Sequence, residues 1–253
     1  MHVQHRYILE KCQSLVPHKA SRILDYGCGK GDIVEEGRRR QLKIYGVEAF
    51  YGGSTIREVV KDKGLLGGAI VELDDGRIPF PDYYFDLVVS NQVFEHVPDL
   101  DQVLTEISRV LTSIGKLLCL FPSQDVIREG HCGVPFAHWF PKDTYYRYYW
   151  LLLLRKLGFG HHTGEKSSRE WAKTFFDWLN TYTYYRSKRE IEPMFLKYFD
   201  SISHIEDDYI SYRLKAINLR GLSLLATKTP ITYFSRLLCR KMGGLVIIAT
   251  KAG

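Results

Sequence analysis

Behind the apolar pair Ile23-Leu24, an acidic residue is followed by three glycines at alternate positions: Asp25, then Gly27, Gly29 and Gly31. Glycines where a strand leaves a sheet let the backbone come close to a ligand, and open α/β sheets bind their ligands at that carboxyl edge. A dinucleotide pyrophosphate favours Gly-x-Gly-x-x-Gly spacing and is repelled by a carboxylate. Here the spacing is Gly-x-Gly-x-Gly, and Asp25 precedes the first glycine by two residues, which suits a ligand bearing an ammonium or a sulfonium. Glu48, at the end of the next strand-like segment, is placed to accept hydrogen bonds from both hydroxyls of a ribose. Asp74, after the third such segment, is placed to accept from an adenine amino group. Each carboxylate alone could instead cap a helix or a turn. Three of them at the ends of successive strands predict a ribose and an adenine held across one sheet edge.

The segments that must hold these residues alternate in the way that βαβ units do. Strands are expected at Arg22 to Asp25, Lys43 to Glu48, Gly68 to Leu73, Tyr84 to Ser90 and Gly115 to Phe121, with helices at Asp32 to Arg40, at Ser54 to Lys63 and from Pro98-Asp99 onward. That last helix is marked by Leu100, Val103, Leu104, Ile107, Val110 and Leu111, which recur at helical spacing and predict one buried face. Beyond Pro122 the alternation stops, and all four tryptophans, Trp139, Trp150, Trp171 and Trp178, fall in an aromatic and basic stretch. Pattern returns with a helix over Arg186 to Phe199, a strand over Ser201 to Glu206, a helical stretch, and a last strand over Gly244 to Thr250. The expected fold class is α/β: a Rossmann-like, doubly wound, mostly parallel seven-stranded sheet with helices on both faces and an aromatic, basic helical insertion after the fifth strand. The chain reads as one domain over 1–253, with a cofactor-binding core at 1–122, a substrate or lid insertion at 123–185, and C-terminal helices with the last two strands at 186–253.

Composition narrows the setting. The 253 residues are 45% hydrophobic, enough for a sizeable core. The strongest apolar run, Trp150 to Leu154, ends at Arg155-Lys156 and is far too short to span a membrane. The first residues lack the layout of a signal peptide, so a cytoplasmic protein is expected. Five scattered cysteines without a Cys-x-x-Cys suggest neither a disulfide framework nor a zinc site. The formal charge of +6 divides into −3 for residues 1–125 and +9 for 126–253. The basic second half favours an anionic partner: substrate, membrane surface or nucleic acid.

Taken together, Ile23-Leu-Asp-Tyr-Gly-Cys-Gly-Lys-Gly31, Gly46-Val-Glu48, Asp74-Asp75-Gly-Arg-Ile-Pro-Phe-Pro-Asp82, Tyr84-Phe-Asp-Leu-Val-Val-Ser-Asn91, Phe94-Glu-His-Val-Pro98 and Ile107-Ser-Arg-Val-Leu111 resemble the class I S-adenosylmethionine-dependent methyltransferases, in the group called type 11. The resemblance covers roughly residues 20 to 122. It implies S-adenosylmethionine as cofactor, with Asp25, Gly27, Cys28 and Gly29 around its methionine part. By the same resemblance Glu48 holds the ribose hydroxyls, Asp74 the adenine amino group and Asn91 the turn beside the sulfonium, with Ala49, Asp75 and Gln92 also expected to bind the cofactor. Glu48 is followed by Ala49-Phe50-Tyr51 where the family commonly has a serine, so the second helix is expected to start differently.

Methyl transfer from a sulfonium needs a nucleophile aligned with the methyl carbon and sulfur, so the protein contributes mainly proximity and orientation. An alcohol nucleophile must also lose a proton, and an imidazole with a reference pKa of about 6.5 is suited to take it. His96, His131 and His138 are the candidates, the last two favoured as the base, with a structural hydrogen-bonding role as the alternative for each. Coenzyme Q O-methyltransferases resemble the stretch around His96 and carry Glu-x-x-Glu-His there. Gln92 stands in place of the first acid, so no metal is expected. Arg128, Trp139, Tyr145 and Arg147 are the candidate substrate contacts, able to stack on rings and pair with anionic groups; the alternative is a lid packed on the sheet by its aromatic face.

The insertion is weakly similar to methyltransferases of bacterial surface-polysaccharide gene clusters. The leading expectation is therefore O-methylation of a sugar or glycan, nucleotide- or lipid-linked, at the inner face of a membrane. Methylation of a small metabolite, a quinone or an amino compound, is the alternative, and a non-catalytic S-adenosylmethionine-binding protein a further one. Nucleic acid is not expected as substrate, because Ser90-Asn91-Gln92-Val93 stands where an Asn-Pro-Pro-Tyr sequence would be. Thr229 to Lys241 reads either as a core helix or as a basic amphipathic stretch for peripheral membrane contact.

Overall fold

A computed structural model describes residues 1–16, 18–51 and 54–252. β1 (Arg22–Tyr26), β2 (Lys43–Glu48), β3 (Ile70–Glu72), β4 (Phe85–Asn91) and β5 (Leu111–Phe121) pair in parallel in the order β3-β2-β1-β4-β5. β6 (Ser201–His204) and β7 (Leu245–Thr250) extend that edge, with β7 antiparallel to both β5 and β6. The expected seven-stranded, mostly parallel sheet is the observed one. Its central strands are nearly continuous apolar runs because helices cover both faces.

α4 (Leu100–Val110) covers one face and buries the residues its spacing predicts: Leu100, Val103, Leu104, Ile107 and Val110. The Asp99 side chain caps it, accepting from the Gln102 N–H at 3.0 Å. On this face α7 (Lys188–Phe195) adds Ile191 and Phe195. It starts later than expected because Ser187 and Glu190 form a capping box. The other face is covered by α2 (Asp32–Arg39), α3 (Ile56–Asp62), α8 (Glu206–Ala216) and α1 (Val3–Leu15), whose Tyr7, Ile8, Leu9 and Cys12 are buried. α1 was not anticipated from the sequence, although its His5 reaches the ligand edge of the sheet.

Between β5 and α7 lie α5 (Tyr145–Lys156) and α6 (Ser168–Tyr182), which share a separate small core of Cys132, Val134, Leu151, Trp171 and Leu179. After α8 come α9 (Arg220–Ala226) and α10 (Ile231–Met242). The core-helix reading of this last stretch is corrected. α10 buries Ser235 and Cys239 and leaves Phe234, Leu238 and Met242 exposed. Arg236 bonded to Asp207 at 2.6 Å and Arg240 bonded to Glu206 at 2.9 Å hold it to α8 in that orientation. Among the described residues, no helix is long and apolar enough to cross a membrane.

Candidate functional site

The glycine loop is tied to β2 through one carbonyl, because the Gly27 and Cys28 N–H groups both donate to Val47 O, at 2.9 and 3.1 Å. At Gly27, φ is +72° and an added Cβ would lie 2.4 Å from a Val93 methyl, so both the turn and the packing require glycine. At Gly29, φ is +52° and the space beyond is open. The Gly29 N–H donates to Glu48 Oε2 at 2.7 Å and the Ala49 N–H to Oε1 at 2.9 Å. Glu48 therefore stands at the strand end with both oxygens fixed, each with acceptor capacity left for a hydroxyl.

These residues open onto a cavity of about 370 Å³. Asp25 lines it, yet is only 1% exposed, and neither carboxyl oxygen has a hydrogen-bond partner among the described residues. Burial, reinforced by the nearby Glu48, pushes its carboxyl up to about 8. A buried carboxyl with no donor, on the wall of a cavity, is a site for a cation-bearing group. Apolar Val93, Val97 and Leu73 form other parts of the wall, Cys28, Asn91 and Gln92 complete it, and His5 and Tyr51 border it. Donors, acceptors and apolar wall together fit an aminoacyl group, a ribose and a flat ring.

Asp74 and Asp75 do not line this cavity. Asp74 is exposed, and its backbone pairs with Arg77 in a tight turn, N–H to O at 3.0 and 2.8 Å, with Asp75 at φ +47°. The turn carries the chain away from the edge, so Leu73 is the residue of this stretch on the cavity wall.

The structure brings two of the three candidate histidines together. His96 lies on the cavity wall, and its ring centroid is 5.0 Å from that of His131 and 5.9 Å from Trp178. His96 Nδ1 sits 2.7 Å from Tyr182 O, and burial lowers its pKa. His131 Nδ1 sits 2.6 Å from Glu129 Oε1. The same Glu129 oxygen accepts from the Tyr185 hydroxyl at 2.6 Å, and Oε2 accepts from the Cys132 N–H at 2.6 Å. Burial alone would raise the Glu129 carboxyl; His131 and these donors instead hold it down to about 2. His138 is elsewhere: it is buried against Tyr185, ring centroids 4.5 Å apart, and burial pushes it down to about 4. Glu129 and Tyr185 were missed in the sequence, where Glu129-x-His131 within a glycine-bearing loop was the available signal.

The candidate substrate contacts divide. His138, Trp139 and Arg147 line a second cavity of about 490 Å³ together with Lys142 and Arg186. Arg147 is 4% exposed and donates to Asn180 Oδ1 and Phe140 O. Arg128 bonds the Gly133 carbonyl and abuts His161, and Tyr145 is 81% exposed; neither lines a cavity described here. As a reading of direct contacts, Arg128 and Tyr145 are not brought to the site, because one braces its own loop and the other faces solvent at the start of α5.

Residues 24–119 match a family model described as a methyltransferase domain. The ubiquinone/menaquinone biosynthesis C-methyltransferase UbiE of Vibrio vulnificus is 33% identical over 110 residues, 42% of this chain and 42% of that protein. The demethylmenaquinone methyltransferase of Anoxybacillus flavithermus is 31% identical over 113 residues, 43% of this chain and 48% of that protein. The match spans less than half the length of these relatives. Among solved structures, an S-adenosylmethionine-dependent methyltransferase from Mesorhizobium loti aligns with a TM-score of 0.55 at 13% identity, covering 95% of this chain and 96% of that one. Phosphoethanolamine N-methyltransferase 2 of Haemonchus contortus, in complex with S-adenosyl-L-methionine, aligns with a TM-score of 0.52 at 17% identity, covering 99% of this chain and 52% of that one. These two likenesses carry the fold.

Proposed function

We propose that this chain is an S-adenosylmethionine-dependent methyltransferase acting on a small molecule that carries an anionic group. One observation carries the cofactor reading: a carboxylate fixed through both oxygens at the end of β2, facing the same cavity as the buried, unpartnered Asp25. Asp25 takes the ammonium of the methionine part and Glu48 the two ribose hydroxyls, while Val93 and Val97 supply apolar wall. Bound this way, the cofactor supplies an electrophilic methyl carbon. The chain's own work is to hold the acceptor in line with it and to exclude water. The acceptor approaches from the side where His96, on the cavity wall, meets His131 of the insertion.

The small-metabolite reading fits better than the glycan reading favoured by sequence, since the relatives named above carry quinone-biosynthesis names and none is named for a sugar. An anionic acceptor is supported by Lys142, Arg147 and Arg186 around the second cavity, whose hydrogen-bond partners among the described residues are neutral: Asn180, Phe140, Phe94, Tyr184, Val97 and Pro98. Cations beside a cavity whose hydrogen bonds go to neutral groups favour a phosphate or carboxylate. The exposed apolar residues of α10 support peripheral contact with a lipid surface carrying such an acceptor.

The test is transfer of label from methyl-labelled cofactor to quinols, amino compounds, phosphorylated small molecules and glycans in parallel. Label is expected on a small-molecule class; label on glycans alone would restore the sugar reading. Calorimetry with S-adenosylhomocysteine tests the cofactor directly, and equal binding by Glu48→Ala would defeat it. For the lipid contact, sedimentation with vesicles should fall in Phe234→Asp.

A further inference from the structure

Two imidazoles and a carboxyl group from two loops come together beside the cofactor cavity, which His96 lines. Glu95 and His96 come from the single 3-10 turn after β4, and His131 from the loop after β5. One ligand atom from each lies within 4.8 Å of the other two. Both rings are engaged at Nδ1. His96 Nδ1 faces a carbonyl, which only accepts, so that nitrogen carries the proton and Nε2 keeps its lone pair. His131 Nδ1 faces the Glu129 carboxylate, so Nε2 is the nitrogen left to face a ligand. Glu95 is 1% exposed and neither of its oxygens has a partner among the described residues, Oε1 lying 3.9 Å from His96 Nε2.

We propose that Glu95, His96 and His131 bind a divalent transition-metal cation of the zinc or cobalt type, with Glu129 and Tyr182 O orienting the two imidazoles from behind. Two nitrogens and one carboxylate are a ligand set for such ions, whereas magnesium prefers oxygen alone. Imidazoles held at Nδ1 by a carboxylate or a carbonyl are the usual outer support of a metal site. Ligand atoms about 2.1 Å from one ion stand about 3.4 Å apart in a tetrahedron, so binding draws the three groups inward by roughly an ångström. Three protein ligands leave a coordination position free, and His96 belongs to the cofactor cavity wall, so that position borders the acceptor.

A plain acid–base pair, Glu129 with His131, would account for half of this arrangement. It leaves Glu95 as a buried carboxyl with no donor, next to an imidazole that presents a lone pair rather than a proton. A cation satisfies all three groups at once. Gln92, which argued against a metal in the sequence, is replaced in this role by His131 from the insertion, a ligand that no local motif reveals. An oxygen of the acceptor on the free position would lose its proton more readily. That role rests on the methyltransferase reading; the binding of the cation does not.

The test uses the full chain, freed of affinity tag and stripped with chelator, titrated without cofactor by Co²⁺ in the visible and by Zn²⁺ in the calorimeter. One equivalent should bind. Glu95→Gln and His131→Ala should each weaken binding at least about tenfold, and Glu129→Gln roughly tenfold, with circular dichroism checking that each variant is folded. His138→Ala, outside the cluster, should bind like wild type. Lack of stoichiometric binding by the folded wild type would overturn the site, as would unchanged affinity in Glu95→Gln and His131→Ala, or an equal loss in His138→Ala. Glu48→Ala separates the two readings: it should lose S-adenosylhomocysteine and keep the metal. A wild type that binds S-adenosylhomocysteine and no metal would remove the cation site while leaving the methyltransferase reading in place.

Discussion

Between β1 and β5 the groups that form the cavity sit where buried strands end, and their positions are set by backbone: Val47 O holds two loop N–H groups and Glu48 is held by two more. Between β5 and α7 the groups sit in loops, and their positions are set by side chains: Glu129 collects His131, Tyr185 and the Cys132 N–H around one buried carboxylate. The first region draws its rigidity from the sheet. The second has its own small core around Trp171, which is fully buried and donates its indole N–H to His161 O at 2.8 Å. A site built on strand ends tolerates much change elsewhere, while one built on a loop network depends on each member. The family match over residues 24–119 ends within β5, ahead of the loop network.

The sharpest break of the first region is Gly27→Val. Its side chain would enter Val93 from a backbone at φ +72°, and both strain and clash act on the loop itself. Binding of S-adenosylhomocysteine should fall by more than about a thousandfold, beyond detection by calorimetry. Next in size, Trp171→Ala should remove about 3–5 kcal/mol from the insertion, the usual cost of deleting a buried tryptophan. Hydrogen exchange should rise across α5 and α6 and stay unchanged in β1 and β4, with cofactor affinity within about threefold of wild type. Exchange rising equally in both regions would show that they share one core after all. Glu48→Ala should cost about a hundredfold in cofactor affinity, since two hydrogen bonds to a charged acceptor are lost. It should leave the melting temperature of the ligand-free protein nearly unchanged.

The same contrast explains what could be read from the sequence. β1, β4 and α4 were legible because burial on a sheet leaves continuous apolar runs, and helix packing leaves residues at three and four apart. Asp25 and Glu48 were legible because strand ends fix where a side chain goes. Asp74 was placed at the right strand end but not on the cavity wall, since the turn with Arg77 is a local backbone choice. His5 was invisible for want of any expectation of α1. The Glu95, His96 and His131 cluster was hidden because its members come from two loops, His96 and His131 being 35 residues apart, joined only by tertiary packing. In α10 the apolar spacing was read correctly and its burial was not, because Arg236 and Arg240 are anchored by buried acids of α8.

Asp25 gives the smallest of these effects and isolates a single titrating group of the strand-end region. Its carboxyl is pushed up to about 8 by burial and by Glu48, against about 3.9 in an unfolded chain. Between those values the folded, ligand-free protein holds a proton that the unfolded chain has released, so its stability falls as pH rises through that window. A ligand with an ammonium reverses the preference, because it binds the ionised carboxylate. At pH 7 binding must then expel most of that proton, about 0.9 per chain for a group near 8. Calorimetry in buffers of different ionisation enthalpy should report this release, and affinity for S-adenosylhomocysteine should rise about tenfold or more from pH 6 to pH 8. In Asp25→Asn both trends should vanish, while the ligand-free protein becomes more stable at pH 8 than wild type. Proton release that persists in Asp25→Asn would assign the titration to another group and leave the buried carboxyl without its cationic partner.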